Sequence, residues 1–213
     1  MIPLFKVHTP ENIGQKIQEV FDSGFITEGE YSDKFEKEVS NYLESETLLV
    51  NSGTSSLSLA YHLCDIQPGD EVITSPMTCT ATNCPIVNRG AKIVWADIDP
   101  ETGNIDPNDV ANKVNSKTKA IVAVHWAGQP FDVDAVSNFG VPVVEDAAQA
   151  LGSKFKGKNA GTFGNSSAIS FFPAKVLGCF GDAGAILCQD ETIFDRAYQL
   201  HDHGRDKNGN VKS

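Results

Sequence analysis

From about residue 47 onward the chain alternates short β-branched apolar runs with amphipathic stretches, the mark of an α/β fold. Candidate strands are "TLLV" (47–50), "EVITS" (71–75), "KIVWAD" (92–97), "AIVAVHW" (120–126), "VPVVE" (141–145), "SAISFF" (167–172) and "AGAILC" (183–188). Several of them are apolar on successive positions, as expected of strands covered on both faces. Helices are expected between them, starting near Thr54, Thr80, Pro107, Asp132 and Glu191. Two more precede the first strand. One carries Ile13, Ile17, Val20 and Phe21 on one face and stops at Gly24; the other carries Phe35, Val39 and Leu43 at helical spacing. No internal repeat, low-complexity tract or linker interrupts the pattern.

Composition narrows the field. With 213 residues, 40% of them hydrophobic and 21% charged, the chain is an ordinary globular protein long enough for one substantial core. A net charge of −11 argues against nucleic acid, whose phosphates draw on lysine and arginine patches, but leaves room for a local anion site. No apolar run approaches membrane-spanning length, and "MIPLFKVHTPEN" is not a secretory signal. The five cysteines (64, 79, 84, 179, 188) lack zinc-ligand pairing, so no metal site is expected and they read as reduced thiols of a cytoplasmic protein.

Parallel sheets bind ligands beyond the carboxyl ends of their strands, so the residues just after each run are the places to search. After the first comes "NSGTSS" (51–56), whose glycine and hydroxyls open a helix. Free N–H groups and the positive dipole end make that an anion seat, although Ser52 or Thr54 serving only as a cap is the plainer alternative. Asp146 leaves the run "VPVVE", and Glu145 beside it should point to the opposite face, so only one of the two carboxylates enters a site there. After "SAISFF" comes "PAKVLGCFGDAG", in which Lys175 projects among apolar neighbours with glycines at 178, 181 and 184. A lysine so framed either snorkels out of a packed turn or is held as a nucleophile. Pyridoxal phosphate needs these three groups together: a lysine for its aldehyde, a carboxylate for its ring nitrogen, and a helix N-terminus for its phosphate.

The ordered motifs "NSGTSSLSLAYHL", "PGDEVITSPMTCTATN", "WADIDPETGNIDP", "TKAIVAVHWAGQPFDVDAV", "VVEDAAQALGSKFKGKNAGTFG" and "SFFPAKVLGCFGDAGAI" resemble the DegT/StrS-type nucleotide-sugar aminotransferases of the fold-type I pyridoxal-phosphate superfamily. The resemblance implies a three-layer large domain with a mostly parallel central sheet over residues 1–213, with N-terminal helices at 10–45 and an α/β core at 46–213. A C-terminal small domain found in relatives is expected to be missing. Carried over by motif, Lys175 forms the Schiff base and serves as acid and base, and Asp146 pairs with the pyridinium nitrogen. Gln149 lies against the ring or its 3-hydroxyl, while Ser170 joins Gly53, Thr54 and Ser55 in holding the phosphate. Cys79 takes the place of an aromatic residue that stacks on the ring in many relatives.

The implied reaction moves an amino group from glutamate to a nucleotide-linked keto-sugar in a homodimer. Related sugar dehydratases carry histidine where this chain has Lys175, which sides with amino transfer. The alternatives are a non-catalytic cofactor-binding or interaction protein on the same scaffold, or a pyridoxal-phosphate sugar dehydratase. His203 and Arg205, near the end of the chain, are candidates for contact with a sugar or phosphate.

Overall fold

The seven expected strands all form, as β1 (Glu46–Val50), β2 (Glu71–Thr74), β3 (Lys92–Trp95), β4 (Thr118–Val124), β5 (Val143–Asp146), β8 (Ser166–Ser170) and β9 (Gly184–Cys188) of a computed structural model that describes residues 2, 3 and 5–211. A small hairpin of β6 (Lys154–Phe155) and β7 (Lys158–Asn159) was not foreseen; two-residue strands are too short to leave a periodic pattern. The helices are α1 (Ile13–Ser23), α2 (Glu30–Leu43), α3 (Gly53–Leu63), α4 (Thr80–Asn88), α5 (Pro107–Lys113), α6 (Val133–Ser137) and α7 (Glu191–His201).

The strands join one sheet in the order β1-β9-β8-β5-β4-β2-β3. From β3 to β8 every pairing is parallel, and only β9 is reversed, antiparallel to both β8 and β1. The sheet is thus mostly parallel, as the family resemblance implies.

Strand alternation sorts the core into layers. Val72, Val122 and Val144 pack with Leu57 and Tyr61 of α3, Ile86 of α4 and Phe194 of α7. Their neighbours Ile73, Ile121, Ala123 and Val143 face the other way, toward Val110 of α5 and Val133 and Val136 of α6. On that same side Ile169, Ala185 and Leu187 meet Val39 and Leu43 of α2. The sheet is therefore buried between two helical layers, which explains its apolar strands.

The first helix departs from expectation in its surroundings. It ends at Gly24, whose φ of 75° and N–H bond to the Phe21 carbonyl make the expected left-handed stop. Yet none of its residues is buried, and Phe21 is 62% exposed. Its apolar face turns outward among the described residues.

Candidate active site

The carboxyl ends of β1, β2, β4, β5 and β8 surround one cavity of about 380 Å³, within the range of about 300–1,000 Å³ usual for small-molecule sites. Gly53, Thr54, Cys79, Asp146, Gln149, Ser170 and Lys175 all line it. Strands and helices from five parts of the chain thus bring together seven of the eight residues picked out from sequence. Ser55 is the exception. Its N–H and hydroxyl are turned to Ser52 Oγ, at 3.0 and 2.9 Å, and it lines a neighbouring groove instead. Two helical steps carry Ser55 about 200° round from Gly53, which is why it leaves the cavity. Its cap, Ser52, stands at the wall in its place.

Three features make the first wall an anion seat. The N–H groups of Gly53 and Thr54 take no partner among the described residues, as at any helix start. Ser170 Oγ accepts from Phe172 N at 3.3 Å, which leaves its own proton to donate. Two close approaches hold the seat shut: a Cβ on Gly53 would lie 2.7 Å from Ser170 Cβ, and one on Gly184 would lie 2.6 Å from Gly53 N. Ser56 Oγ, fully buried, ties α3 to β9 through Ala185 O at 2.8 Å.

Asp146 lies on the α3–α4 side of the sheet, only 5% exposed, with both oxygens engaged. Oδ1 accepts from Ala148 N at 3.1 Å and Oδ2 from the Thr82 hydroxyl at 2.6 Å. Glu145 does turn away. It is fully buried, accepts from Gly161, Phe163 and Gly164 N–H groups at 2.6–2.8 Å, and meets His125 Nε2 at 2.7 Å. One strand therefore supplies a carboxylate to the cavity and another to the frame.

Gln149 is oriented by its surroundings. Its Oε1 accepts from the N–H of Ala127, a residue with φ 51° in the left-handed region, so the amide NH₂ is the end left for the cavity. Lys175 sits at the tip of a turn closed by Cys179 N to Phe171 O at 2.8 Å, and its own N–H bonds to Phe172 O. Gly178 crosses beneath against Pro173, where a Cβ would collide with the proline carbonyl. The apolar neighbours of Lys175 are not packed around it as the sequence suggests. Phe172, which borders the cavity, and Val176, Leu177 and Phe180 are 46–71% exposed.

His203 and Arg205 do not reach the cavity; Arg205 is paired at 3.5 Å with Asp202 beside its own helix. Sequence reading missed Thr78, Thr82 and Asp182. The available signal was the spacing Thr78-x-x-x-Thr82 at a helix start after a strand, which puts both hydroxyls on one face.

These groups fit pyridoxal phosphate: free amides and a hydroxyl at a glycine-lined helix start, a carboxylate held apart from other cations, an amide donor and a lysine, all on one wall system. The sheet order and the position of the cavity place the chain among the α/β domains of pyridoxal-phosphate aminotransferases. The chain belongs to the DegT/DnrJ/EryC1/StrS aminotransferase family, whose profile matches residues 8–213. It is 39% identical over 198 residues to the spore coat polysaccharide biosynthesis protein SpsC of Bacillus subtilis (strain 168), covering 91% of this chain and 51% of that protein. It is 35% identical over 210 residues to GDP-perosamine synthase of Vibrio cholerae, covering 96% and 57%. The crystal structure of NtdA from Bacillus subtilis, with the cofactor PMP bound, superposes with a TM-score of 0.89 at 30% identity, covering 99% of this chain and 49% of that one. The chain thus spans about half the length of the curated relatives it matches.

Proposed function

We propose that residues 1–213 are the cofactor-binding large domain, with N-terminal helices at 10–45 and an α/β core at 46–213, of an aminotransferase acting on nucleotide-linked keto-sugars. The convergence of Lys175, Asp146 and the α3 anion seat on one cavity carries this reading. Pyridoxal phosphate, when bound, supplies the electron sink that lets a carbon beside an amino group give up a proton. The N–H groups of Gly53 and Thr54 and the Ser170 hydroxyl hold its phosphate. Asp146 accepts the hydrogen bond of its ring nitrogen, and the Gln149 amide donates to its ring hydroxyl. Cys79, exposed at the start of α4, packs on the ring face where an aromatic residue would otherwise lie.

Lys175 Nζ is both attachment point and proton carrier. Once released from the cofactor it would take the proton from the α-carbon of the donor, glutamate, which would leave as 2-oxoglutarate with its nitrogen retained on the cofactor, and it would later deliver a proton to the sugar carbon that receives that nitrogen. Lysine at this position favours amino transfer over loss of a hydroxyl. The exposed Phe172, Val176, Leu177 and Phe180 of the lysine turn form an apolar patch suited to a second copy, which supports a homodimer as the working unit. Five free cysteines suit a reducing, cytoplasmic location, and no helix among the described residues is long and apolar enough to cross a membrane.

The test is to mix the purified chain with pyridoxal phosphate, reduce with borohydride and map the adduct by peptide mass. A phosphopyridoxyl group on Lys175, lost in Lys175→Ala, is the expected result. Labelling scattered over surface lysines would overturn the reading. Product mass from glutamate and a keto-sugar, showing nitrogen gained instead of hydroxyl lost, separates transfer from dehydration.

A further inference from the structure

Asp146 belongs to a chain of hydroxyls that the cavity wall hides. Thr82 Oγ1 donates its single proton to Asp146 Oδ2 at 2.6 Å. Its 2.7 Å contact with Thr78 Oγ1 must therefore run the other way, with Thr78 donating. Two backbone bonds and burial immobilise Thr82. Its carbonyl accepts from the fully buried Tyr61 hydroxyl at 2.8 Å, its N–H bonds to Cys79 O at 3.0 Å, and its side chain is completely buried. A helical threonine ordinarily turns its hydroxyl back to its own helix. Here it reaches across to β5.

We propose that Thr82 is the positioning residue of Asp146, and that the relay Thr78 to Thr82 to Asp146 fixes the plane of the carboxylate toward the cavity. A carboxylate held only by the Ala148 N–H could still swing about its last torsion; the second, opposed bond to Oδ2 removes that freedom. A carboxylate fixed in that plane keeps a charge-assisted hydrogen bond aimed at the ring nitrogen, which favours the protonated, positive ring. The inference rests on the cofactor reading above. The titratable groups around Asp146 are Tyr61 from α3, Cys79 from α4, and Lys175 and Asp182 from the turn after β8.

The experiment compares wild type, Thr82→Val, Thr82→Ser and Thr78→Val, each loaded with pyridoxal phosphate. The readouts are the cofactor dissociation constant and the pH midpoint of its visible absorption band, with the apo melting temperature as a folding control. Valine keeps the shape and removes the hydroxyl, which should weaken cofactor binding about tenfold, the worth of one charge-assisted bond. It should also move the band's midpoint upward, because a less positive ring lets the Lys175 linkage keep its proton to higher pH. Serine should restore both values. Thr78→Val, which leaves the Asp146 contact in place, should shift the midpoint the same way by less, and it decides the matter if Thr82→Val does not fold. Wild-type values in Thr82→Val, or no rescue by serine, would overturn the proposal. If the wild-type chain binds no cofactor, the functional reading fails first. A crystal structure of the apo Thr82→Val chain then judges the relay alone: an Asp146 carboxylate turned out of its plane upholds it, and an unmoved one sinks it.

Discussion

Glu145 carries the sharpest stability prediction. Its Oε1 accepts from Phe163 and Gly164 N–H groups and its Oε2 from Gly161 N–H and His125 Nε2, so the carboxylate serves four donors, three of them fully buried. His125 Nδ1 has no partner among the described residues, which puts the imidazole proton on Nε2, facing Glu145. His125 itself is stacked on Phe131 with ring centroids 4.7 Å apart and has nowhere to turn. Glu145→Ala leaves all four donors without an acceptor. At about 1 kcal/mol for each orphaned group, the low end of the usual cost, the loss is about 4 kcal/mol. For a chain of this length about 2–4 °C is lost per kcal/mol, so the melting temperature should fall by about 8–16 °C. Glu145→Gln keeps one oxygen for two of the amides and should cost roughly half as much. Calorimetry on the apo chain measures both. A Glu145→Ala midpoint within about 3 °C of wild type, or a glutamine variant as damaged as the alanine one, would refute the four-donor account.

Two further outcomes follow from the cysteines. Cys79→Phe restores an aromatic face to the cavity, and a stacking contact of about 0.5–1.5 kcal/mol should tighten cofactor binding about two- to tenfold by fluorescence titration; equal or weaker binding would show that the thiol already fills that place. Burial pushes the Cys64 thiol up from 9.0 to about 11 and the Cys188 thiol to about 12. The folded chain therefore keeps protons that the unfolded chain loses first. Their contribution is whole below the unfolded value and is lost as pH rises through about 11 and then about 12. Urea midpoints should fall from pH 9 upward, less steeply in Cys188→Ala, and a variant that tracks wild type would sink that assignment.

The strands were legible because a sheet covered on both faces writes itself as unbroken apolar runs. Their carboxyl ends were not, and those ends are where the cavity lies. "SAISFF" continues apolar past Ser170, but Phe171 turns under the lysine loop while Phe172 faces out, a change of direction that hydrophobicity does not record. The α1 pattern announced an apolar face without saying what covers it. Among site residues, Lys175, Asp146 and Gly53 were marked by their neighbours along the chain. Thr82 was marked only by its spacing from Thr78, and a threonine in the first turn of a helix is ordinary until β5 is known to run beside it. The direction of the Gln149 amide likewise depends on Ala127, which lies in a loop after a different strand. Ser55 bonds Ser52 and lines the neighbouring groove, a direction set by helical rotation that proximity in sequence to Gly53 does not record.

The reversal of β9 also sets the order in which the molecule is assembled. Among the described residues β1 has β9 as its sole sheet neighbour, with Glu46 opposite Cys188 and Val50 opposite Gly184. Contacts so distant along the chain close a large loop before they return any stabilisation, which makes them late and slow steps. During synthesis the anion seat at the start of α3 emerges early, yet its wall against Gly184 and its tie to Ala185 wait for β9, the last of the described strands. A nascent chain therefore carries the lysine turn, the strand-end aspartate and an open-sided phosphate seat for a time, and cofactor capture becomes a report that β9 has inserted.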